Sequence, residues 1–315
     1  MRRSPSNAGL ALGVLSGTTF GTAGAFASSL ISAGWTPGAA VVTRVGIAAL
    51  VLTTPALVQL RRQRPAWASM RLLLVYGVVA VAAAQFCYFN AVSRLSVGVA
   101  LLLEYSGILL VVAWGWIRQG RRPRLLTAVA GAAALAGLVL VLDLAGAHRV
   151  DFIGVLWGLG AAVGLAAYFI LAAHADDGVP PLVMAWGGLV VGAVTLAIAG
   201  AVHVLPLHAA FVDVILLARP VSWLVPVLGL SLVAAVVAYV SGIAAVRLLG
   251  SKLASFLGLC EVLAAVGFAW LLLGQRLNPV QLAGGVLVVA GIALVRLDEM
   301  AEAAPRSPEP VLAPL

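Results

Sequence analysis

The chain has 315 residues, of which 63% are hydrophobic and only 10% are charged, whereas a soluble domain carries roughly 25% charged residues. This composition excludes a soluble protein, and the continuous apolar runs exclude a membrane β-barrel, whose strands would alternate apolar and polar residues. The net charge of +8 comes from basic residues in the links between apolar runs, so it indicates membrane topology and contact with anionic lipid rather than nucleic-acid binding.

Ten apolar runs follow one another along the chain, and each approaches the roughly 20 residues that a membrane-spanning helix needs. Their approximate bounds are 9–31, 37–60, 71–92, 95–117, 125–143, 152–174, 180–204, 222–246, 252–273 and 279–297. Prolines open the second, seventh and tenth runs, where the missing N–H costs no hydrogen bond. The pattern predicts an all-α polytopic membrane protein with ten transmembrane helices. Residues 299–315, rich in Pro, Ala and Glu, are predicted to be a disordered cytoplasmic tail.

The distribution of Lys and Arg predicts which side of the membrane each link faces. With a cytoplasmic N-terminus, about 14 basic residues fall on the cytoplasmic side and only about 4 fall outside. The link between spans 6 and 7 is acidic instead, but acidic residues contribute little to this rule. We therefore expect a multi-pass protein of the plasma membrane with both termini in the cytoplasm.

The second half of the sequence repeats the first. When the chain is shifted by 154 residues, the region from Ala91 matches the region from Ala245 without a gap. The matched pairs include Trp116 with Trp270, Gly120 with Gly274, Arg122 with Arg276, Gly131 with Gly285 and Gly137 with Gly291. The halves are therefore about 1–150 and 151–298, with five spans each. Because five is an odd number, the second half begins on the opposite side of the membrane, which predicts two inverted five-helix repeats of the kind that secondary transporters use.

Over 245–295, a helix rich in small residues is followed by an acidic residue, an apolar helix ending in LLLG, a proline and a Gly-rich last helix. This segment most strongly, and both repeats as a whole, resemble the EamA family of the drug/metabolite transporter superfamily. The segment LEYSG at 103–107 resembles a pattern of amino-acid exporters related to the threonine/homoserine exporter, although Ile108 stands where proline is usual. The resemblance implies ten helices, both termini inside, and export or exchange of small metabolites.

Three charged residues lie inside predicted spans, where each costs about 2.5–3.5 kcal/mol on insertion scales. Glu104 lies near the middle of span 4, Glu261 near the middle of span 9, and Arg44 in span 2. In the repeat alignment the two carboxylates are one helical turn apart, so we expect them on one face and pointing into the bundle. They would bind a cationic or amino group, or take up a coupling proton. The alternative for the acids is structural: each bonds a neighbouring helix or pairs with Arg44. Arg44 would anchor an anion or pair with a glutamate, and its structural alternative is a residue near the span end that reaches the headgroups.

Polar side chains in the third span of each half are further candidates for the pathway. Gln85 and Tyr88 share a face of span 3, and Tyr239 in span 8 aligns with Gln85 in the repeat. They would donate hydrogen bonds to a substrate or, equally well, join helices as polar contacts. Aromatic residues nearer the span ends are interpreted as interfacial belt residues, with a cavity wall as the alternative; they are Tyr105, Trp114, Trp116, Tyr168 and Trp270.

The sequence favours a secondary transporter that exports a small metabolite, such as an amino acid or a cationic drug, by alternating access. Its expected partners are the small-molecule substrate, the lipid bilayer and protons as coupling ion. A membrane enzyme acting on a lipid-linked substrate is the alternative, but it would need a cluster of acids or histidines at one membrane face, and the sequence has none. No metal-binding or nucleotide-binding motif is present, so neither a metal nor another cofactor is predicted.

Overall fold

The computed structural model describes residues 7–62, 67–92, 94, 97–120, 124–141, 151–174, 179–273 and 278–303. In the first half, span 1 is α1 (Asn7–Ser32) and span 2 is α2 (Pro37–Arg62). Span 3 is built from α3 (Trp67–Val75), a π-helical segment π1 (Tyr76–Ala83) and α4 (Ala84–Val92). Span 4 consists of α5 (Val97–Tyr105) and α6 (Gly107–Gln119), and span 5 is α7 (Leu125–Val141).

The second half repeats this order within the described ranges. Span 6 is α8 (Phe152–His174) and span 7 is α9 (Pro181–Ala201). A hairpin of β1 (Val214–Leu216) and β2 (Arg219–Val221) then precedes span 8, which consists of α10 (Leu224–Leu228), a π-helical segment π2 (Gly229–Val237) and α11 (Ala238–Leu249). Span 9 is α12 (Ser251–Gly258) with α13 (Cys260–Leu273), and span 10 is α14 (Pro279–Ala303).

The predicted fold class is confirmed. Eight helices in the described ranges are long and apolar enough to cross a membrane. The other two spans are α7, which is shorter, and span 9, which is interrupted between α12 and α13. The last helix continues to Ala303, into the segment predicted as a tail, and the rest of that prediction, 304–315, lies outside the described residues.

The two halves interlock through their first helices. Helix α1 of the first half packs against π2, α11 and α13 of the second, while α8 of the second half packs against π1, α4, α5 and α6 of the first. Glycines allow these helices to approach closely: a Cβ at Gly164 of α8 would meet the backbone of Ala84 in α4. Each half therefore supplies a helix to the centre of the other, and spans 3, 4, 8 and 9 surround that centre.

The two halves are also joined where α7 and α14 pack side by side. Near the start of α7, the buried carboxylate of Asp298 in α14 accepts a hydrogen bond from Thr127 at 2.5 Å. It also pairs with Lys252 at the start of α12 at 2.8 Å and with Arg124 at 3.5 Å. These contacts tie three helices from both halves together at one end of the bundle.

Spans 4 and 9 are interrupted at equivalent positions. Span 4 breaks at Ser106, whose hydroxyl donates to the Leu103 carbonyl at 2.5 Å, and span 9 breaks at Leu259. Under the repeat shift of 154 residues these breaks fall within one residue of each other. The breaks place Glu104 at the end of α5 and Glu261 at the start of α13, so each predicted intramembrane carboxylate stands beside an irregular turn.

Helix α8 begins with a well-formed cap. The Asp151 carboxylate accepts hydrogen bonds from the backbone N–H groups of Ile153 at 2.8 Å and Gly154 at 3.1 Å, as expected of an N-cap aspartate. Arg94 lies 3.4 Å away. The bond from the Gly154 N–H, together with that from Ile153 and the nearby Arg94, holds the pKa of Asp151 below its usual value.

The long link between spans 7 and 8 carries the β-hairpin. Val214 pairs with Val221 and Leu216 with Arg219, and the turn residues Leu217 and Ala218 both have positive φ. The link is anchored on the corner between α1 and α2, where the Trp35 indole N–H donates to the Ala210 carbonyl at 2.6 Å. The hairpin therefore covers the end of the bundle where span 1 ends and span 2 begins.

Candidate functional site

A cavity of about 520 Å³ lies at the centre of the bundle, between the interlocked halves. Its walls come from α1 and α2, spans 3 and 4, α8, and spans 8 and 9, while spans 5, 7 and 10 contribute no lining residue. The structure brings all six residues of the predicted pathway to this cavity: Arg44, Gln85, Tyr88, Glu104, Tyr239 and Glu261. They come from five different spans. The fold brings together residues that are up to 217 positions apart in the sequence, from Arg44 to Glu261.

The two carboxylates differ in their protein contacts. Glu104 makes no hydrogen bond or ion pair with any described residue, although it interacts electrostatically with Glu261 and Arg44. Glu261 lies within hydrogen-bonding reach of the Tyr105 hydroxyl, which also faces the Gly258 carbonyl at 3.3 Å. An unpaired charge at this depth is costly, so the lack of a donor to Glu104 among the described residues sets it apart from Glu261.

Arg44 is buried among helices rather than extended to the headgroups, with only 8% of the residue exposed. Its Nη2 donates to the Ala234 carbonyl of π2 at 2.6 Å, which joins the first half to the second. The guanidinium also lies over the Phe20 ring, 5.7 Å from its centroid, in a cation–π contact. No ion pair within 4.0 Å joins it to Glu104 or Glu261 in the described part of the chain, and its Nε has no hydrogen-bond partner there.

Aromatic side chains form much of the remaining wall. Tyr239 packs edge-on against Phe20 at 5.1 Å and against Tyr168 at 6.0 Å, measured between ring centroids. Tyr88 packs against Phe89 at 5.7 Å, and both line the cavity. The site therefore combines two acids, one guanidinium and several hydroxyls with apolar ring faces, which suits a small ligand that carries both charged and apolar groups.

Sequence reasoning misplaced some aromatic residues and missed others. Tyr105 and Tyr168 line the cavity, so the interfacial interpretation is wrong for them. Trp116 and Trp270, by contrast, are about half exposed on the outside of the bundle. Phe20 and Ser16 of α1 also line the cavity, and the sequence offered no signal for them beyond their place in an apolar span.

The cavity extends further towards one end of α1 than towards the other. Its lining runs along α1 from Gly13 to Ile31 and includes Pro37 at the start of α2. Between Gly13 and the start of α1, helices α1 and α11 pack closely: a Cβ at Gly9 would lie 2.8 Å from Leu249 Cδ2. On the same side, Arg247 at the end of span 8 donates to the Val179 carbonyl before span 7. The helices therefore pack closely where span 1 begins, and none of the cavity-lining residues in the described part of α1 lies before Gly13.

The donor set does not suggest a metal centre. Among the described residues, no group of three or more His, Cys, Asp or Glu side chains is arranged to hold a metal ion.

Many membrane transporters are inverted-repeat helical bundles with a central site between the repeats. The family model described as the EamA-like transporter family matches residues 7–143 and again 152–297. The chain belongs to this family, and it is therefore a transporter of the drug/metabolite type.

Comparison with solved structures supports the same fold. One solved structure, described as "Crystal structure of protein", aligns with a TM-score of 0.73 and 19% sequence identity over 94% of this chain and 99% of that chain. At this identity the similarity concerns the fold alone. A comparison with curated proteins finds no match.

Proposed function

We propose that the protein is a secondary transporter that exports a small metabolite, such as an amino acid or a cationic drug, by alternating access. The observation that carries this proposal is the central cavity, where Glu104, Glu261 and Arg44 meet between the two inverted halves. Three charges inside a membrane bundle cost several kcal/mol each, and a ligand pathway gives them a function.

The cavity chemistry supports a substrate with an amino or other cationic group. The carboxylate of Glu104 has no hydrogen-bond donor among the described residues, so a ligand ammonium would supply a partner. Tyr88 and Gln85 from span 3 line the same cavity and would orient the ligand through hydrogen bonds. The volume of about 520 Å³ falls within the range of roughly 300–1,000 Å³ that is typical of small-molecule sites.

Protons are the proposed coupling ions. Glu104 and Glu261 face the same cavity, and either carboxyl can carry a proton when the ligand is absent. Substrate and proton would then compete for the same acidic groups. Because only one of them occupies these groups at a time, export of substrate would be coupled to movement of protons in the opposite direction. Coupled export predicts that flux follows the pH gradient in the wild type and loses that dependence in Glu104→Gln.

The proposed orientation places both termini in the cytoplasm, following the excess of basic residues in those links. With this orientation the close packing near Gly9 and Arg247 lies on the cytoplasmic side, and the cavity extends outward along α1. Reporter fusions at the two ends of the chain test it: both should report the cytoplasm. Reporters on opposite sides would contradict the proposed topology.

A thermal-shift screen of purified protein against amino acids and organic cations tests the site. A ligand at 100 times its dissociation constant stabilises the protein by about 2.7 kcal/mol, so the transported class should give a clear shift. Glu104→Gln and Glu261→Gln should lose most of it. Asp151→Asn is the matched control, since it makes the same carboxylate-to-amide change at a helix cap outside the cavity. Wild-type ligand shifts in both glutamate variants would contradict the assignment of the site.

A further inference from the structure

Two π-helical segments occupy equivalent positions in spans 3 and 8. The repeat shift of 154 residues places π1 (Tyr76–Ala83) on 230–237, which is π2 except for its first residue. A π-helix bonds each N–H to the carbonyl five residues earlier, is rare, and often marks a functional site. Neither segment contains proline, so their shared position reflects the packing around them. In each half, the π segment packs against the second helix of the other half.

The segment π1 is held by close apolar packing. Gly188 is the eighth residue of α9, and a Cβ placed there would lie 2.6 Å from the Tyr76 ring. A Cβ at Gly77 would lie 2.5 Å from Val191 Cβ, and one at Gly192 would lie 2.6 Å from Val81 Cγ1. Since no room remains even for a methyl group, π1 and α9 are fixed against each other.

The segment π2 is held differently. Arg44 is the eighth residue of α2, and it stands where α9 has Gly188. Its guanidinium reaches across to the Ala234 carbonyl in the middle of π2 at 2.6 Å. Ser231 in the same segment is fully buried, and its hydroxyl has no hydrogen-bond partner among the described residues. The Tyr76 hydroxyl of π1 is likewise buried without a hydrogen-bond partner in the described part of the chain, so what distinguishes π2 is the charged contact from Arg44.

We propose that Arg44 is a positioning residue that latches π2 in its present hydrogen-bonding pattern, and that release of its guanidinium from Ala234 lets span 8 rearrange during transport. This inference rests on the proposed transport function. Arg44 lines the cavity and interacts electrostatically with Glu104 and Glu261, so a charged ligand in the cavity changes the balance of forces on the latch.

The rearrangement would act directly on the cavity wall. Conversion of π2 from five-residue to four-residue hydrogen bonding rotates the helix that follows it. Tyr239 and Gly242 lie in that helix, α11, and both line the cavity. A Cβ at Gly242 would meet the Tyr168 hydroxyl, so even a small rotation of α11 changes the contact with α8. On the π1 side the position equivalent to Arg44 is Gly188, which packs on the Tyr76 ring and offers no side-chain donor to π1.

Hydrogen–deuterium exchange of the purified protein without added substrate tests the latch. In Arg44→Gln the amides of 230–240 should exchange about tenfold faster than in the wild type, because a hydrogen bond from a charged donor is lost. The amides of 77–84, around π1, should be unchanged and serve as an internal reference. Thr53→Ala is the matched control, since it removes the bond from the Trp186 indole to α2 without touching π2, and it should leave 230–240 unchanged.

Arg44→Lys provides a second test, which stands alone if Arg44→Gln does not fold. Lysine keeps the positive charge but lacks the planar set of N–H donors of the guanidinium, so amide exchange in 230–240 should also be faster than in the wild type. Unchanged amide exchange in 230–240 in the folded variants would overturn the latch. Equally faster exchange around π1 and π2 would also overturn it, because Arg44 would then stabilise the whole fold and not π2 in particular. Neither result bears on ligand-induced thermal shifts at Glu104, so failure of the latch is distinguishable from failure of the transport proposal.

Discussion

Helix α1 crosses α13 with almost no space between the two backbones, beside the turn that carries Glu261. A Cβ placed on Gly21 would lie 2.6 Å from Ala264 Cβ and 2.8 Å from both the Ala265 nitrogen and the Glu261 carbonyl oxygen. Ordinary contact begins at 3.4 Å, so an alanine here must displace the helices by about 0.8 Å (3.4 − 2.6). None of these neighbours is the end of a flexible side chain that could move aside.

Gly21→Ala should therefore destabilise the protein. Overpacking of this kind costs about 1–3 kcal/mol, while alanine gains up to about 1 kcal/mol over glycine in helix propensity. Gly24→Ala is the matched control, because Gly24 lies on the same helix and has nothing within 4 Å of its Cβ position. The propensity gain is common to both variants, so Gly21→Ala should be about 1–3 kcal/mol less stable than Gly24→Ala.

The comparison is made by unfolding both variants in mixed detergent micelles and measuring the difference in free energy of unfolding. Thermal-shift titration of the same samples measures how strongly ligand stabilises them. Because a displacement of α13 also moves Glu261, ligand should stabilise Gly21→Ala less than the wild type. Equal stability of the two variants would refute the close approach of α1 and α13.

Substitutions of two aspartates, Asp298 and Asp151, test polar contacts at the ends of helices. Asp298→Ala should cost about 3 kcal/mol in free energy of unfolding, because it removes the buried carboxylate that bonds to Lys252 and Thr127; a loss below about 1 kcal/mol would contradict the network. Asp151→Ala should lower the melting temperature and Asp151→Asn should not, since asparagine also caps helices. Because the pKa of Asp151 is lowered in the folded state, its ionised form stabilises the protein above about pH 4, and the wild-type advantage over Asp151→Ala should shrink as pH falls below that value.

The spans and the candidate site were predictable because membrane physics leaves strong signals in the sequence. A helix across the hydrocarbon core requires a long apolar run, so ten runs indicated ten spans. Charged residues at that depth are costly, so Arg44, Glu104 and Glu261 stood out, and the structure brings all three to one cavity. The repeat shift also predicted that the two carboxylates lie one helical turn apart on one face of equivalent helices, without knowledge of the fold.

The remaining features depend on tertiary contacts that leave no local pattern. The segments π1 and π2 contain no proline, and their position follows from packing against α9 and α2. The β-hairpin was predicted only as a long link, because its turn uses Leu217 and Ala218 at positive φ instead of the glycine or asparagine that usually marks such a turn. Tyr168 lines the cavity because α8 enters the first half, which its sequence position does not reveal.

Flux through reconstituted protein tests the central claim most directly. A compound that stabilises the purified wild type should move across proteoliposomes that contain the wild type or Asp151→Asn, and its movement should follow an imposed pH gradient. Proteoliposomes with Glu104→Gln should lose the response to that gradient, and those with Glu261→Gln should transport poorly. Transport of the same compound at wild-type rate and pH dependence by both glutamate variants would contradict a pathway through this cavity.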